Sequence, residues 1–110
     1  MAAVLIIDDQ ATSRQILSQI VKSIDSSLLV EAFGEAQGAL DWLERSPADL
    51  ILTDYKMPRM DGIEFLRLAR KLPKAKHVPI IMITSHEQTD IRHKALELGA
   101  TDFLNKPIDH

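Results

Sequence analysis

The feature that most constrains the fold is an alternation between short, wholly apolar runs and amphipathic stretches. Val4-Leu5-Ile6-Ile7 contains no polar position and ends abruptly in Asp8-Asp9. Such a run reads as a strand buried on both faces, since a half-buried strand would alternate. Ile16, Leu17, Ile20, Val21 and Ile24 then recur at helical spacing, with Thr12 or Ser13 available as caps. The alternation repeats. Leu28 to Phe33 reads as a second strand, and Ala36, Ala39, Leu40 and Leu43 form one helical stripe before Pro47. Leu50-Ile51-Leu52 is a third strand. Asp61-Gly62 opens a helix with Phe65, Leu68, Ala69 and Leu72 inward, and Pro73 lies just beyond it. Pro79 to Ile83 is a fourth strand. Thr89 to Leu98 carries a thin apolar face of Ile91, Ala95 and Leu98, with Gly99 placed to end the helix before a brief fifth strand, Thr101 to Leu104.

Strand and helix signals in strict succession predict an α/β domain: a five-stranded parallel sheet, right-handed crossovers and helices on both faces. The chain stops at His110 with no helix after the fifth strand. A parallel sheet needs cover on both sides, so this predicts a shortened chain, or cover from a further domain or a second copy. With 110 residues and no internal repeat or linker, residues 1–110 read as one domain. That length buries roughly two thirds of the unfolded chain's surface, enough for one core without disulfides, which the absence of Cys excludes. Thirteen basic against sixteen acidic residues give a net charge of −3, which disfavours a role in neutralising nucleic-acid phosphates or an anionic membrane. No apolar run spans a bilayer and Met1-Ala2-Ala3-Val4 lacks a basic signal opening, so a cytoplasmic location is expected.

In an open α/β sheet, ligands bind at the carboxyl ends of the strands. Here the first strand delivers Asp8 and Asp9, the third Asp54, the fourth Thr84 and the fifth Lys106 before Pro107. One Asp alone would read as a turn or cap residue, and Lys106 alone as a solvated loop lysine. Complementary polar residues on four strand ends of one sheet edge read instead as a site. Carboxylates about 4 Å apart repel by about 4 kcal/mol per pair at an effective dielectric of roughly 20, so a positive charge must offset them. Lys106 supplies one. An oxygen-only donor set with room for water suits Mg²⁺, which binds through one or two carboxylates plus phosphate oxygens. Beside Mg²⁺ and an ammonium, the Asp54 carboxylate can attack a phosphoryl group whose oxygens are neutralised.

These residues resemble those of the receiver domain of two-component response regulators, of the chemotaxis-regulator kind, over essentially the whole chain. The likeness rests on Asp8-Asp9, on Thr53-Asp54-Tyr55-Lys56-Met57-Pro58-Arg59-Met60-Asp61-Gly62, on Thr84-Ser85, and on Gly99 through Pro107. It implies a flavodoxin-like sheet of order 2-1-3-4-5. It also implies a phosphoacceptor domain, not an enzyme beyond its own phosphotransfer and autodephosphorylation. Asp54 would take a phosphoryl group from a phosphohistidine on a histidine kinase or phosphotransfer protein. Asp9, Asp54 and the Lys56 backbone carbonyl would bind Mg²⁺, or Mn²⁺, with Asp8 acting through an intervening water. Thr84 and Lys106 would hold the phosphoryl oxygens, and the Lys106–Pro107 bond would be cis. Thr84 would then move toward the added charge and Phe103 swing inward, changing the surface offered to an output domain or partner. Phe103 also fits a plain core ring. Lys56 and His86 would tune the acyl-phosphate lifetime, or are ordinary exposed loop residues. His77, His93 and His110 read as surface residues, and Met57, Met60 and Met82 as loop or core packing.

Three rival functions fit these residues less well. A haloacid-dehalogenase-like phosphohydrolase needs a second acid where Lys56 stands. A flavodoxin-like cofactor carrier needs hydroxyls and N–H groups after the first strand, where Asp8 and Asp9 repel phosphate. A receiver-like binding module without phosphate chemistry would have no need of Asp9, Asp54, Thr84 and Lys106 together. The runs Ile63 to Arg67 and His77 to Ile81 are similar to receivers attached to cyclic di-GMP phosphodiesterase domains of the HD-GYP type.

Overall fold

The wholly apolar first run becomes β1 (Ala3–Ile7), buried at every residue, because neighbours flank it on both edges and helices lie on both faces. It pairs in parallel with β2 (Leu29–Phe33) and β3 (Leu50–Thr53). β4 (Ile80–Thr84) and β5 (Asp102–Asn105) extend the sheet to the order β2-β1-β3-β4-β5, which is the expected 2-1-3-4-5. The computed structural model describes residues 2–85 and 89–106. His86, the Lys106–Pro107 bond and His110 lie outside them.

Alternation along the strands divides the core in two. Leu5, Ile7, Ile51, Ile80 and Met82 face α2 (Ala36–Arg45), α3 (Gly62–Ala69) and α4 (Thr89–Glu97), together with Leu43, Phe65 and Phe103. Val4, Ile6, Leu52 and Ile83 face α1 (Ala11–Ile24), which contributes Leu17 and Val21. Each fully buried large side chain contributes about 1.5–3 kcal/mol, so the first cluster holds most of the apolar stabilisation. α4 buries only Ile91 and Ala95, as its thin stripe predicts, and so has little to lose by shifting.

Several boundaries differ from the expectation for local physical reasons. Thr12 and Ser13 lie inside the first turn of α1 and do not cap it. Gln10 stands at the cap, because the Asp8 side chain accepts its backbone N–H at 3.0 Å and starts the helix earlier. Ile16 and Ile24 are exposed, since α1 meets the sheet along Leu17 and Val21 only. In α3 the buried face is Phe65, Leu66 and Ala69, with Leu68 half-buried, and Leu72 falls beyond the helix before a single 3₁₀ turn, Pro73–Ala75. β4 and β5 each start one residue later than expected. Thr101 stays outside the strand and uses Oγ1 to accept the Ile80 N–H at 3.1 Å.

Arg70, at the end of α3, ties the lower edge of this layer together. Its guanidinium donates to the carbonyls of Gly99 (2.6 and 3.1 Å), Ala75 (2.9 Å) and Val78 (2.6 Å). Gly99 has φ +108, and a Cβ there would meet Arg70 Nε at 3.1 Å, so the turn after α4 needs glycine both for its backbone and for this contact. Desolvation pushes the Arg70 guanidinium below its ordinary value, without approaching neutrality at physiological pH. Arg70→Ala should destabilise the domain by about 2 kcal/mol, because three carbonyls lose a charged donor. Arg70→Lys should recover less than half, since one ammonium cannot reproduce the planar fork. Urea unfolding checks both values, and full recovery by lysine would refute the fork argument.

Candidate functional site

Register brings the strand ends together. Ile7 lies opposite Thr53 across β1 and β3, and the Asp54 N–H donates to the Ile7 carbonyl at 2.8 Å, which puts Asp8 and Asp54 side by side. Thr84 lies opposite Asn105, and the Lys106 N–H donates to the Thr84 carbonyl at 2.9 Å, which turns Lys106 back over the same edge. One oxygen from each of Asp8, Asp9 and Asp54 lies within 4.8 Å of the other two. Lys106 Nζ donates to Asp8 Oδ2 at 2.7 Å and to Asp54 Oδ2 at 3.2 Å. Residues 98 and 52 positions apart thus meet at one point. Thr84 is wholly buried at the end of β4.

The four site groups differ in access. The Asp8 side chain is 1% exposed, that of Asp54 11% and that of Lys106 19%, whereas Asp9 is open to solvent. Asp9, Gln10, Asp54, Lys56, Ser85 and Lys106 line an open cleft of about 480 Å³, with Met57 and Pro58 at its wall. Asp54 is held by its own strand end: Oδ1 accepts the Tyr55 N–H at 2.7 Å, and Thr53 Oγ1 donates to the Asp54 carbonyl at 2.9 Å. Burial alone pushes the Lys106 ammonium down, but its hydrogen bond to Asp8 and the charges of Asp54 and Asp8 outweigh this and hold it above the ordinary lysine value of 10.5. The ammonium is charged at neutral pH. Its stabilising contribution is complete below that ordinary value and is lost only as pH rises through the elevated native one.

Three carboxylates against one ammonium leave two net negative charges at the cleft. The donor set is all oxygen, and Asp9 and Asp54 open onto a space large enough for several waters, so the residues fit a hard divalent cation of the Mg²⁺ type. The loop that follows β3 and borders the cleft at Met57 and Pro58 contains a rare backbone turn. Arg59 has φ +69, and the Met60 N–H donates to the Pro58 carbonyl at 2.8 Å, a γ-turn that costs of order 1–3 kcal/mol in strain. The Arg59 guanidinium pairs with Glu35 across the β2–α2 connection.

The expected site residues Asp8, Asp9, Asp54 and Lys106 are gathered in one place, and exposed Lys56 borders the cleft. Phe103 is already buried, 4% exposed in the first core cluster, with the Arg92 guanidinium 5.9 Å from its ring centroid. His77 and His93 are exposed, as expected, and Met57 and Met82 are buried packing residues. Sequence reasoning missed two members. Ser13 Oγ accepts from Lys106 Nζ at 3.2 Å, and only its position one helical turn after Asp9 hinted at this. Gly62 lets the start of α3 press on the Asp54 backbone.

Residues 4–110 match the family described as the response regulator receiver domain. Over 96% of its length the chain is 46% identical to the cyclic di-GMP phosphodiesterase response regulator RpfG of Xanthomonas campestris pv. campestris, covering 28% of that protein. It is 38% identical to a protein-glutamate methylesterase/protein-glutamine glutaminase of Dechloromonas aromatica over 94% of the chain and 29% of that protein, so it spans under a third of these curated relatives. Among solved structures, the chemotaxis protein CheY4 of Vibrio cholerae superposes with a TM-score of 0.90 at 32% identity, covering 99% of this chain and 89% of that one. The receiver domain of a sensor histidine kinase from Pseudomonas aeruginosa PAO1, solved with magnesium ion coordinated in its active site cleft, gives 0.87 at 26%, covering 98% and 87%. With the five-strand order and the whole-chain match in agreement, the chain belongs to the response regulator receiver domain family.

Proposed function

We propose that Asp54 is the acceptor of a phosphoryl group from a phosphohistidine on a histidine kinase or phosphotransfer protein. The observation that carries this reading is the Asp54 carboxylate at the floor of an open cleft, between an acidic cluster and the Lys106 ammonium 3.2 Å away. One Asp54 oxygen forms a bond to phosphorus as the phosphorus–nitrogen bond of the donor breaks, and the electron pair leaves with the imidazole. Asp9, Asp54 and the Lys56 carbonyl would hold Mg²⁺ or Mn²⁺, with Asp8 behind them. When bound, the cation neutralises charge on the phosphoryl oxygens.

Lys106 turns one N–H to the transferred group, and Thr84 closes on it from β4. The new charge and acceptor oxygens at a strand end draw the Thr84 hydroxyl and its loop inward, and α4, which buries few side chains, follows at low cost. Phe103, buried beneath Arg92, packs directly under the surface that changes. The likeness to RpfG supports a cyclic di-GMP phosphodiesterase as the output. Incubation with acetyl phosphate and Mg²⁺ should add one phosphoryl mass to the intact protein, and EDTA or Asp54→Ala should abolish the gain. An unchanged gain in Asp54→Ala would remove Asp54 from the role.

A further inference from the structure

We infer that Ser13 is a positioning residue for phosphoryl transfer, acting through Lys106. The inference rests on the acceptor role proposed for Asp54. An ammonium has three N–H donors and no acceptor. On Lys106 all three are assigned: Asp8 Oδ2 at 2.7 Å, Ser13 Oγ at 3.2 Å and Asp54 Oδ2 at 3.2 Å. The two Asp54 oxygens are unequally held. Oδ1 is fixed by the Tyr55 N–H at 2.7 Å, so Oδ2, with its longer contact to Lys106, is the less tightly held oxygen and the better nucleophile toward phosphorus. A charge-assisted bond closed to about 2.8 Å would draw electron density from Oδ2 and lower its nucleophilicity.

Ser13 prevents the closure. It sits in the first turn of α1, and that turn is pinned. The Arg14 N–H donates to the Gln10 carbonyl at 3.0 Å, and Arg14 Nη1 donates to the Asp8 carbonyl at 2.7 Å. Asp8 and Ser13 therefore hold two of the three Nζ donors in a rigid frame and leave the contact to the nucleophile at 3.2 Å. When phosphoryl oxygens arrive, the neutral Ser13 hydroxyl is cheaper to release than Asp8, since a bond to a neutral oxygen is weaker than one to a carboxylate.

Acetyl phosphate with Mg²⁺ tests this by the rate of mass gain. The bond from Asp54 Oδ2 to phosphorus forms as the phosphorus–oxygen bond to the acetyl group breaks, and acetate leaves with the electron pair. Ser13→Ala should lower the maximal rate about tenfold, the scale of one net hydrogen bond, and leave the half-saturating acetyl phosphate concentration and the Mg²⁺ affinity unchanged. Ser13→Thr and Ser13→Val share one shape and differ in the hydroxyl. The first should react within about twofold of the parent and the second as slowly as Ser13→Ala. Equal slowing in both, or a parental rate in Ser13→Ala, overturns the inference while labelling of Asp54 stands. A parent protein that gains no mass overturns both.

Discussion

Lys106→Met is expected to destabilise the metal-free domain by about 3 kcal/mol, and Mg²⁺ is expected to return most of the loss. The magnitude follows from burial. Asp8 keeps 1% of its side-chain exposure and has its charge answered by Lys106 at 2.7 Å. Removing one partner of a buried pair costs about 3–5 kcal/mol, because the remaining charge stays desolvated. Lys106 is itself 19% exposed, which places the cost at the low end. In the parent protein the ammonium competes with any cation for Asp8 and Asp54. Methionine keeps the aliphatic length and removes the competitor, so a divalent cation should bind Lys106→Met more tightly.

Linkage sets the size of the recovery: at a hundred times Kd a ligand adds about 2.7 kcal/mol to folding stability. Thermal midpoints in EDTA and in saturating Mg²⁺ read both effects. The midpoint gained on adding Mg²⁺ should be larger for Lys106→Met than for the parent. Equal stability of the two in EDTA would show that the acids are relieved by water and not by Lys106.

Gly62→Ala is the second large effect. The Gly62 N–H donates to the Tyr55 carbonyl at 2.6 Å, which draws the first turn of α3 against the end of β3. A Cβ at Gly62 would overlap the Asp54 carbonyl oxygen and meet the Tyr55 Cα and the Met82 Cε at 3.0 Å. Two of those three neighbours are backbone, and the carbonyl is held by Thr53 Oγ1, so the strain has no soft outlet. Overpacking costs about 1–3 kcal/mol, and a backbone obstacle puts this case at the top of that range. A domain of this size should lose roughly 15 °C in thermal midpoint. Because the displaced carbonyl belongs to the acceptor residue, phosphoryl labelling should fall with stability even well below the midpoint. A midpoint within about 2 °C of the parent would mean that the loop yields freely.

Neither effect is visible in the local sequence to the same degree. Gly62 follows a good N-cap, Asp61, whose side chain accepts the Glu64 N–H at 2.9 Å, and the helix start was readable from that pair alone. That the glycine is needed for close approach to Asp54 is a tertiary fact. The exposure of Ile16 and Ile24 is another: five apolar positions of α1 share a helical period, but the sheet accepts only the line through Leu17 and Val21.

Periodicity and residue chemistry by themselves determined the element order, the parallel sheet and the strand ends that carry Asp8, Asp9, Asp54, Thr84 and Lys106. Such features are local: apolar runs, helical stripes, caps and breakers act within a few residues. Tertiary structure alone decided which groups touch. Strand register set Lys106 against Asp8 and Asp54, burial made Asp8 dependent on that ammonium, and the angle of α1 on the sheet brought in Ser13. Contacts between residues 52 to 98 positions apart depend on how whole elements pack, and no local pattern encodes that geometry.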